Sequence, residues 1–319
     1  MYIIELNKLT KKYGKFTAVD NVSFKVKRGE IFGFLGPNGA GKTTTVSMLT
    51  TLKKATSGSA KINGFDIDYE QAKVRESIGI VFQEPSLDRE LTVYENLKFH
   101  AVMYGMSKDK IEKRIEDLLG LVDLINYKKT LAKNLSGGMK RRLEIARGFM
   151  HHPKVLFLDE PTIGLDPQTR IHIWEYIQKL NKNENVTVIL TTHYMEEAEK
   201  LAHKIAIIDH GKIIALDTPV NLKHMIKGEQ VSFSTPQPQT VSKILENQEF
   251  VKEFNFSEGS FRVTLKSGEK NLTELLKAII DKGCDINSLL VHTKSLEDVY
   301  IHLTGKSIRE NKTTNKRLK

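Results

Sequence analysis

One cysteine, Cys284, stands in 319 residues. A single thiol excludes an internal disulfide and fits a reducing compartment. No apolar run approaches the roughly 18 residues that a membrane-spanning helix needs. The opening residues, Met1 to Leu6, read as a strand and not as a secretion signal. Histidines at metal-ligand spacing are missing. His151 and His152 precede Pro153 and suit the end of a helix instead. No long heptad region is present. These absences point to a cytosolic chain that crosses no membrane itself.

What remains is ordinary in bulk. A hydrophobic content of 39% and a charged content of 28% fit a soluble globular protein. The length allows one large domain and a smaller one. The net charge is +10, and half of it sits in residues 306–319, where six Lys or Arg stand against Glu310. That tail is polar, lacks aromatics and reads as disordered. It is either a solvated terminus or a segment that visits anionic lipid or nucleic acid.

The stretch from Ile31 to Thr44 organises the rest. A short apolar strand leads into Gly36-Pro37-Asn38-Gly39-Ala40-Gly41-Lys42-Thr43-Thr44, and a helix follows. This is a phosphate-binding loop. Glycine lets backbone N–H groups curl around phosphate oxygens without a Cβ in the way. The helix beginning near Lys42 aims its positive end at the same phosphates. Lys42 can reach the β- and γ-phosphates of a nucleotide, and the Thr43 hydroxyl can ligate Mg²⁺.

Along the chain, residues 5–26 form two strand-like runs around residues 11–15. Asn63-Gly64 is a hairpin signal. Residues 78–82 make a short buried strand that ends at Gln83. Thr92 and Glu95 form a capping box ahead of a helix that Gly105 ends, and Ser107 opens another with Ile111, Ile115, Leu118 and Leu119 on one face. A helical insert of about residues 86–150 therefore interrupts the sheet-building segments. A further helix starts at Ser136-Gly137-Gly138 and runs to His151. Residues 155–158 and 186–191 are fully buried strands, ending at Asp159-Glu160 and His193. Residues 206–215 close with a hairpin across His210-Gly211.

Alternating strands and helices imply an α/β architecture with a mainly parallel sheet. The phosphate loop, Gln83, Asp159, Glu160 and His193 all follow a strand directly. In such sheets ligands bind at the carboxyl ends of the strands, so these residues can meet at one nucleotide. Beyond residue 222 the order becomes β-α-β-β-α-β, the split-βαβ arrangement, followed by a last helix from Ser295. No catalytic constellation occurs there.

Tyr13, the phosphate loop, Gln83, Leu135-Ser136-Gly137-Gly138-Met139, Asp159-Glu160, Gly164-Leu165-Asp166-Pro167 and His193 come in one order. Together, over about residues 2–220, they resemble the nucleotide-binding subunit of an ATP-binding cassette (ABC) transporter. The Ser-Gly-Gly signature discriminates, because other phosphate-loop NTPases lack it. Residues 191–198 and 295–305 further resemble the daunorubicin-resistance-type branch, the ATPase subunits of two-component exporters, which carry a C-terminal accessory domain.

The resemblance implies an ABC cassette of mainly parallel sheet, with an antiparallel β subdomain and a helical insert, over residues 1–221. A small α+β domain over 222–305 and the basic tail follow. It implies ATP and Mg²⁺ as cofactors. Tyr13 would stack on the purine, an interaction of about 1–3 kcal/mol on the base–aromatic scale. Thr43, Gln83 and Asp159 would hold Mg²⁺. Glu160 would act as general base on the attacking water, and His193 would donate to the γ-phosphate. Ser136, Gly137 and Gly138 would serve the ATP of a second subunit, in trans, with Asp166 at the dimer seam. Met139 departs from the commoner Gln; the backbone donors and Ser136 survive, and a side-chain polar contact is lost.

The expected partners are a second cassette, as homodimer or paired subunit, and a separate membrane permease docking around residues 84–104. The expected location is the inner face of the cell membrane. Two other readings compete. A non-transport ABC ATPase acting on nucleic acid or ribosomes is disfavoured by the single cassette. A non-hydrolytic regulatory subunit is disfavoured by the intact Lys42, Asp159 and Glu160.

Overall fold

The structure, a computed structural model, describes residues 1–226, 228–257, 259–266, 268–292 and 294–306. The tail expected at 306–319 lies outside the described residues from 307 onward, as does Glu258 of the turn expected at 257–260. The described residues form two compact units, Met1–Pro219 and Val220–Lys306.

The first unit opens with two long strands, β1 (Tyr2–Tyr13) and β2 (Phe16–Lys27). With β4 (Ser57–Ile62) and β5 (Phe65–Asp66) they form an antiparallel sheet in the order β2-β1-β4-β5. Asn63 and Gly64 both take positive φ between β4 and β5, as the hairpin signal predicts.

A second, six-stranded sheet carries the site. Its strands are β3 (Ile31–Leu35), β6 (Ile78–Val81), β7 (Val155–Asp159), β8 (Thr187–Thr192), β9 (Lys204–Asp209) and β10 (Lys212–Asp217), in the order β10-β9-β3-β8-β7-β6. All neighbours are parallel except the β10 edge, which returns antiparallel through the His210-Gly211 turn.

β3, and β7 as far as Leu158, are apolar because they are covered on both faces. Val155, Phe157, Phe32 and Phe34 face the antiparallel sheet, where Phe24 stacks on Phe32 at 4.8 Å between ring centroids. Leu156, Leu158 and Ile31 face the helices. Those are α3 (Val93–Met103), α4 (Lys108–Leu121), α5 (Gly137–Gly148) and α6 (Pro167–Glu184). Three shorter helices, α1 (Lys42–Leu49), α2 (Gln71–Ser77) and α7 (Met195–Leu201), link strands, and α8 (Pro219–His224) leads out of the unit.

The insert follows its sequence signals closely. Thr92 and Glu95 close a reciprocal capping box on α3, and Ile111, Ile115, Leu118 and Leu119 are buried along α4. One expectation fails locally: α5 stops at Gly148, and His151 does not cap it. The Arg114 guanidinium donates to the Phe149 and Met150 carbonyls instead, at 2.9 and 3.4 Å. His151 lies flat on Tyr104, 3.7 Å between centroids, with its Nε2 2.9 Å from the Ile78 carbonyl oxygen.

The second unit comprises β11 (Glu229–Ser234), α9 (Pro238–Glu246), β12 (Val251–Ser257), β13 (Ser260–Leu265), α10 (Gly268–Ile280), β14 (Ser288–His292) and α11 (Leu296–Thr304). Its antiparallel sheet runs β12-β13-β11-β14, the split-βαβ order. Val231, Phe233, Phe261 and Val263 pack against Val241 and Leu245 of α9 and Leu275 and Ile279 of α10. Ser295 and Asp298 cap α11 reciprocally. No helix of the described residues is long and apolar enough to cross a membrane.

Candidate functional site

Parallel register brings four strand ends to one edge. Leu35 pairs with Thr192, Asp159 with Thr191, and Val81 with Leu158. The residues just beyond them form the site.

The phosphate loop leaves β3 through a close approach that only glycine allows. A Cβ on Gly36 would lie 2.3 Å from the Ile208 carbonyl oxygen. Gly41 has φ of 104° and precedes α1 directly. The chain thereby turns sharply enough to point the first turn of α1 back across the loop. Lys42 is 4% exposed. Its Nζ donates to the Gly36 and Pro37 carbonyl oxygens at 2.7 and 3.0 Å, and lies 3.4 Å from Glu160 Oε1. Burial lowers the Lys42 pKa, and the Glu160 charge opposes that shift.

Asp159 and Glu160 are buried side by side at the end of β7. Asp159 Oδ1 accepts the Thr43 hydroxyl at 3.2 Å and also the Thr191 hydroxyl. Glu160 has φ of 46°, a conformation that an L side chain seldom takes and that typically costs about 1–3 kcal/mol. Neighbours hold it there. Its N–H lies 3.1 Å from both the carbonyl oxygen and the hydroxyl of Thr191. Its Oε2 lies 3.1 Å from His193 Nδ1. Burial pushes the Glu160 carboxyl up, but the hydrogen bond from His193 and the Lys42 charge outweigh it, so the group lies below the usual carboxylate range. The result is an ionised carboxylate with a buried ammonium on one oxygen and an imidazole on the other.

Lys42, Thr43, Asp159, Glu160 and His193 are thus brought together. Other expected residues are not joined to them. Gln83 is exposed in the loop after β6, and Tyr13 is exposed at the end of β1, with the Lys11 and Lys53 ammoniums 5.2 and 5.5 Å from its ring centroid. Ser136 caps α5, its hydroxyl accepting the Met139 N–H at 3.3 Å. Met139 packs its side chain against the core. Asp166 is exposed and caps α6, accepting from the Thr169 N–H and hydroxyl, which lowers its pKa. Gly138 runs against Thr169, which a Cβ would approach to 2.5 Å. Residues 136–138 and 166 therefore form a second, separate cluster. Among the described residues no hydrogen bond or ion pair joins it to the phosphate loop.

Two members escape sequence reading. Thr191 bridges Asp159 and Glu160; a threonine ending an apolar strand is the signal that a partner awaits it. Arg141 is buried in α5 and donates to the carbonyl oxygens of Phe82, Asp159, Glu160 and Pro161. Within Lys140-Arg141-Arg142 nothing local marks it out.

The ABC transporter family pattern matches residues 19–163, and that of the C-terminal domain of DrrA1-3-like ATP-binding proteins matches residues 218–304. The linearmycin resistance ATP-binding protein LnrL of Bacillus subtilis is 38% identical over 312 residues, 97% of this chain and 100% of its own length. Among solved structures, cbiO1 from Clostridium perfringens, part of the ABC transporter complex cbiONQ, is 30% identical with a TM-score of 0.66, covering 77% of this chain and 95% of its own. The ATP-binding cassette MJ0796, a dimer in a post-hydrolysis state bound to ADP and Pi, is 30% identical with a TM-score of 0.61, covering 67% of this chain and 98% of its own. On fold, site and relatives alike, this chain belongs to the ABC transporter family as an ATP-binding and ATP-hydrolysing subunit, related to the ATPases of drug- and antibiotic-resistance exporters.

Proposed function

We propose that this chain powers a two-component exporter: two copies close on two ATP molecules, and a separate membrane permease converts closing and opening into alternating access. The cargo class is drugs, antibiotics or lipids, which the linearmycin-resistance relative supports. The observation that carries the reading is the division of the site. The Lys42–Glu160–His193 cluster and the Ser136–Gly138 start of α5 are two anion-binding halves; among the described residues no hydrogen bond or ion pair joins residues 136–138 to the phosphate loop, and α5 reaches Glu160 only farther along, through Arg141 at its carbonyl oxygen. A second copy supplies the missing half to each. The dimeric MJ0796 cassette is a precedent.

In this reading Lys42 faces the β- and γ-phosphates, His193 donates to the γ-phosphate and Glu160 takes the proton of the attacking water. Tyr13 stacks on the purine, and Asp166 lines the seam. Thr43 and Asp159, whose oxygens lie 3.2 Å apart, form an oxygen pair suited to Mg²⁺, with Gln83 as a further ligand from its exposed loop. When bound, the ion neutralises charge on the β- and γ-phosphate oxygens. Phosphate release removes the bridging charge and lets the halves part. Phe99, Val102 and Met103 on α3 are exposed, which suits the permease contact around residues 84–104. The subunit would then sit peripherally on the cytoplasmic face of the membrane.

A trans-complementation experiment tests the divided site. A forced heterodimer pairs a Ser136→Arg chain with a Lys42→Ala chain. One of its two sites then has an intact phosphate loop and an intact signature. Single-turnover hydrolysis is expected to return in this heterodimer and to be absent from both mutant homodimers. A dead heterodimer counts against the shared site.

A further inference from the structure

Glu197 is a buried ionisable group that none of these roles uses. It lies on α7, four residues beyond His193, and is fully buried. Both of its hydrogen bonds fall on one oxygen: Oε1 accepts the Thr162 hydroxyl at 2.8 Å and the Trp174 indole N–H at 3.0 Å. Oε2 is buried with no partner. No cation lies within ion-pair distance among the described residues. An ionised carboxylate so placed would be desolvated and uncompensated, whereas a neutral acid leaves a single weak mismatch.

We propose that Glu197 is an uncharged positioning residue: its carboxylic acid ties the turn behind Glu160 to the helix behind His193, so that the base and the γ-phosphate donor keep one spacing. The idea rests on the roles given above to Glu160 and His193.

Thr162 is two residues past Glu160 and fully buried. Glu160 holds its left-handed backbone only because neighbours over-determine it. Thr191 fixes its N–H, and Arg141 donates to its carbonyl oxygen at 3.2 Å. Glu197 extends that hold to Thr162 and anchors it on α7, whose first turn follows His193-Tyr194. Trp174 of α6 braces the same oxygen. One turn earlier on α6, Arg170 runs alongside, donating to the Leu165 carbonyl oxygen at 2.9 Å and the Tyr194 hydroxyl at 3.2 Å. Its guanidinium lies 4.0 Å from the Tyr194 ring centroid. A shift of α7 therefore moves both catalytic turns together. Burial raises the Glu197 pKa against the hydrogen bonds from Thr162 and Trp174 and the charge of Arg170, in keeping with a neutral acid.

The full-length chain tests this. Glu197→Gln keeps a neutral acceptor in place and is expected to rescue: kcat and the KM for ATP stay near the parental values. Glu197→Met fills similar volume without the bonds to Thr162 and Trp174. It is expected to lower kcat by about 10–100-fold, the scale of a misplaced catalytic group, with KM little changed. Trp174 is the sole tryptophan, so its emission should shift in the Met variant and not in the Gln variant. The unaltered chain should also show the infrared carbonyl band of a buried protonated carboxyl, missing in Glu197→Gln. A Gln variant as slow as Met, a Met variant at parental kcat, or no such band overturns the proposal. Should the Met variant not fold, the band and the Gln variant still decide. Parental turnover by Glu160→Gln would instead sink the assignment of the base, leaving the emission and infrared results untouched.

Discussion

Lys42→Ala is expected to lose ATP binding and turnover together, each by about 100-fold or more, the cost of removing one preorganised charge from a catalytic centre. The ammonium is buried, and burial already lowers its pKa. It stays protonated because two carbonyl oxygens and the Glu160 carboxylate surround it. Nucleotide phosphates offer the same donor a stronger acceptor, so its bonds to Gly36 and Pro37 can be exchanged without a large rearrangement. Truncation removes that exchange. It also leaves Glu160 with the hydrogen bond to His193 and no ammonium beside it, so burial pushes the carboxyl up. The variant should be damaged twice, in affinity through the phosphates and in rate through a base that protonates more readily. Calorimetric titration with ATP reads the first effect and steady-state hydrolysis the second. Unchanged affinity and turnover would remove Lys42 from the phosphate site.

The readable parts of this protein are those encoded over a few consecutive residues. The run from Ile31 to Leu35 reads as a buried strand because it is covered on both faces, and Gly36 and Gly41 read as a turn because no other residue fits there. Thr92 with Glu95, and Ser295 with Asp298, announce helix starts because capping is a four-residue interaction. Asp159 and Glu160 are visible because a charge pair closing an apolar strand is conspicuous.

The unreadable parts depend on pairing across the sheet. Thr191 meets Asp159 only because β7 and β8 are parallel and in that register. Arg141 reaches four carbonyl oxygens on two segments separated by up to 79 positions, from Phe82 to Pro161. The end of α5 is not legible because Arg114, 35 residues before Phe149, holds the carbonyls just beyond the helix while His151 turns away to Ile78 and Tyr104. Glu197 stands in a charged run, Glu196-Glu197-Ala198-Glu199, that looks solvated, yet Glu197 faces inward against Trp174.

Glu160→Gln is expected to slow hydrolysis by about 10²–10⁴-fold, the usual contribution of a general base, while ATP binding stays at least as tight. The amide keeps the size of the acid and can still accept from Lys42 and His193. It cannot take a proton from water. The native carboxyl lies below its usual range because the hydrogen bond from His193 and the Lys42 charge outweigh burial. A lowered pKa keeps the base ionised at neutral pH, so parental activity should fall only as acid titrates the group through its depressed value. The Gln variant should lack that acid limb. Removing a negative charge beside the γ-phosphate also lessens repulsion, so ATP should hold the two halves of the dimer closed. The variant should therefore accumulate as an ATP-bound dimer in size-exclusion chromatography with Mg·ATP, where the parent cycles back to separated subunits. Parental hydrolysis would show that Glu160 is not the base. Slow hydrolysis with no ATP-dependent dimer, even with the permease present, would break the link between hydrolysis and opening. In the isolated subunit a missing dimer weighs less. Met139 is partly buried against the core of its own subunit, so in the proposed dimer only Ser136 and the backbone N–H groups would grip the second nucleotide.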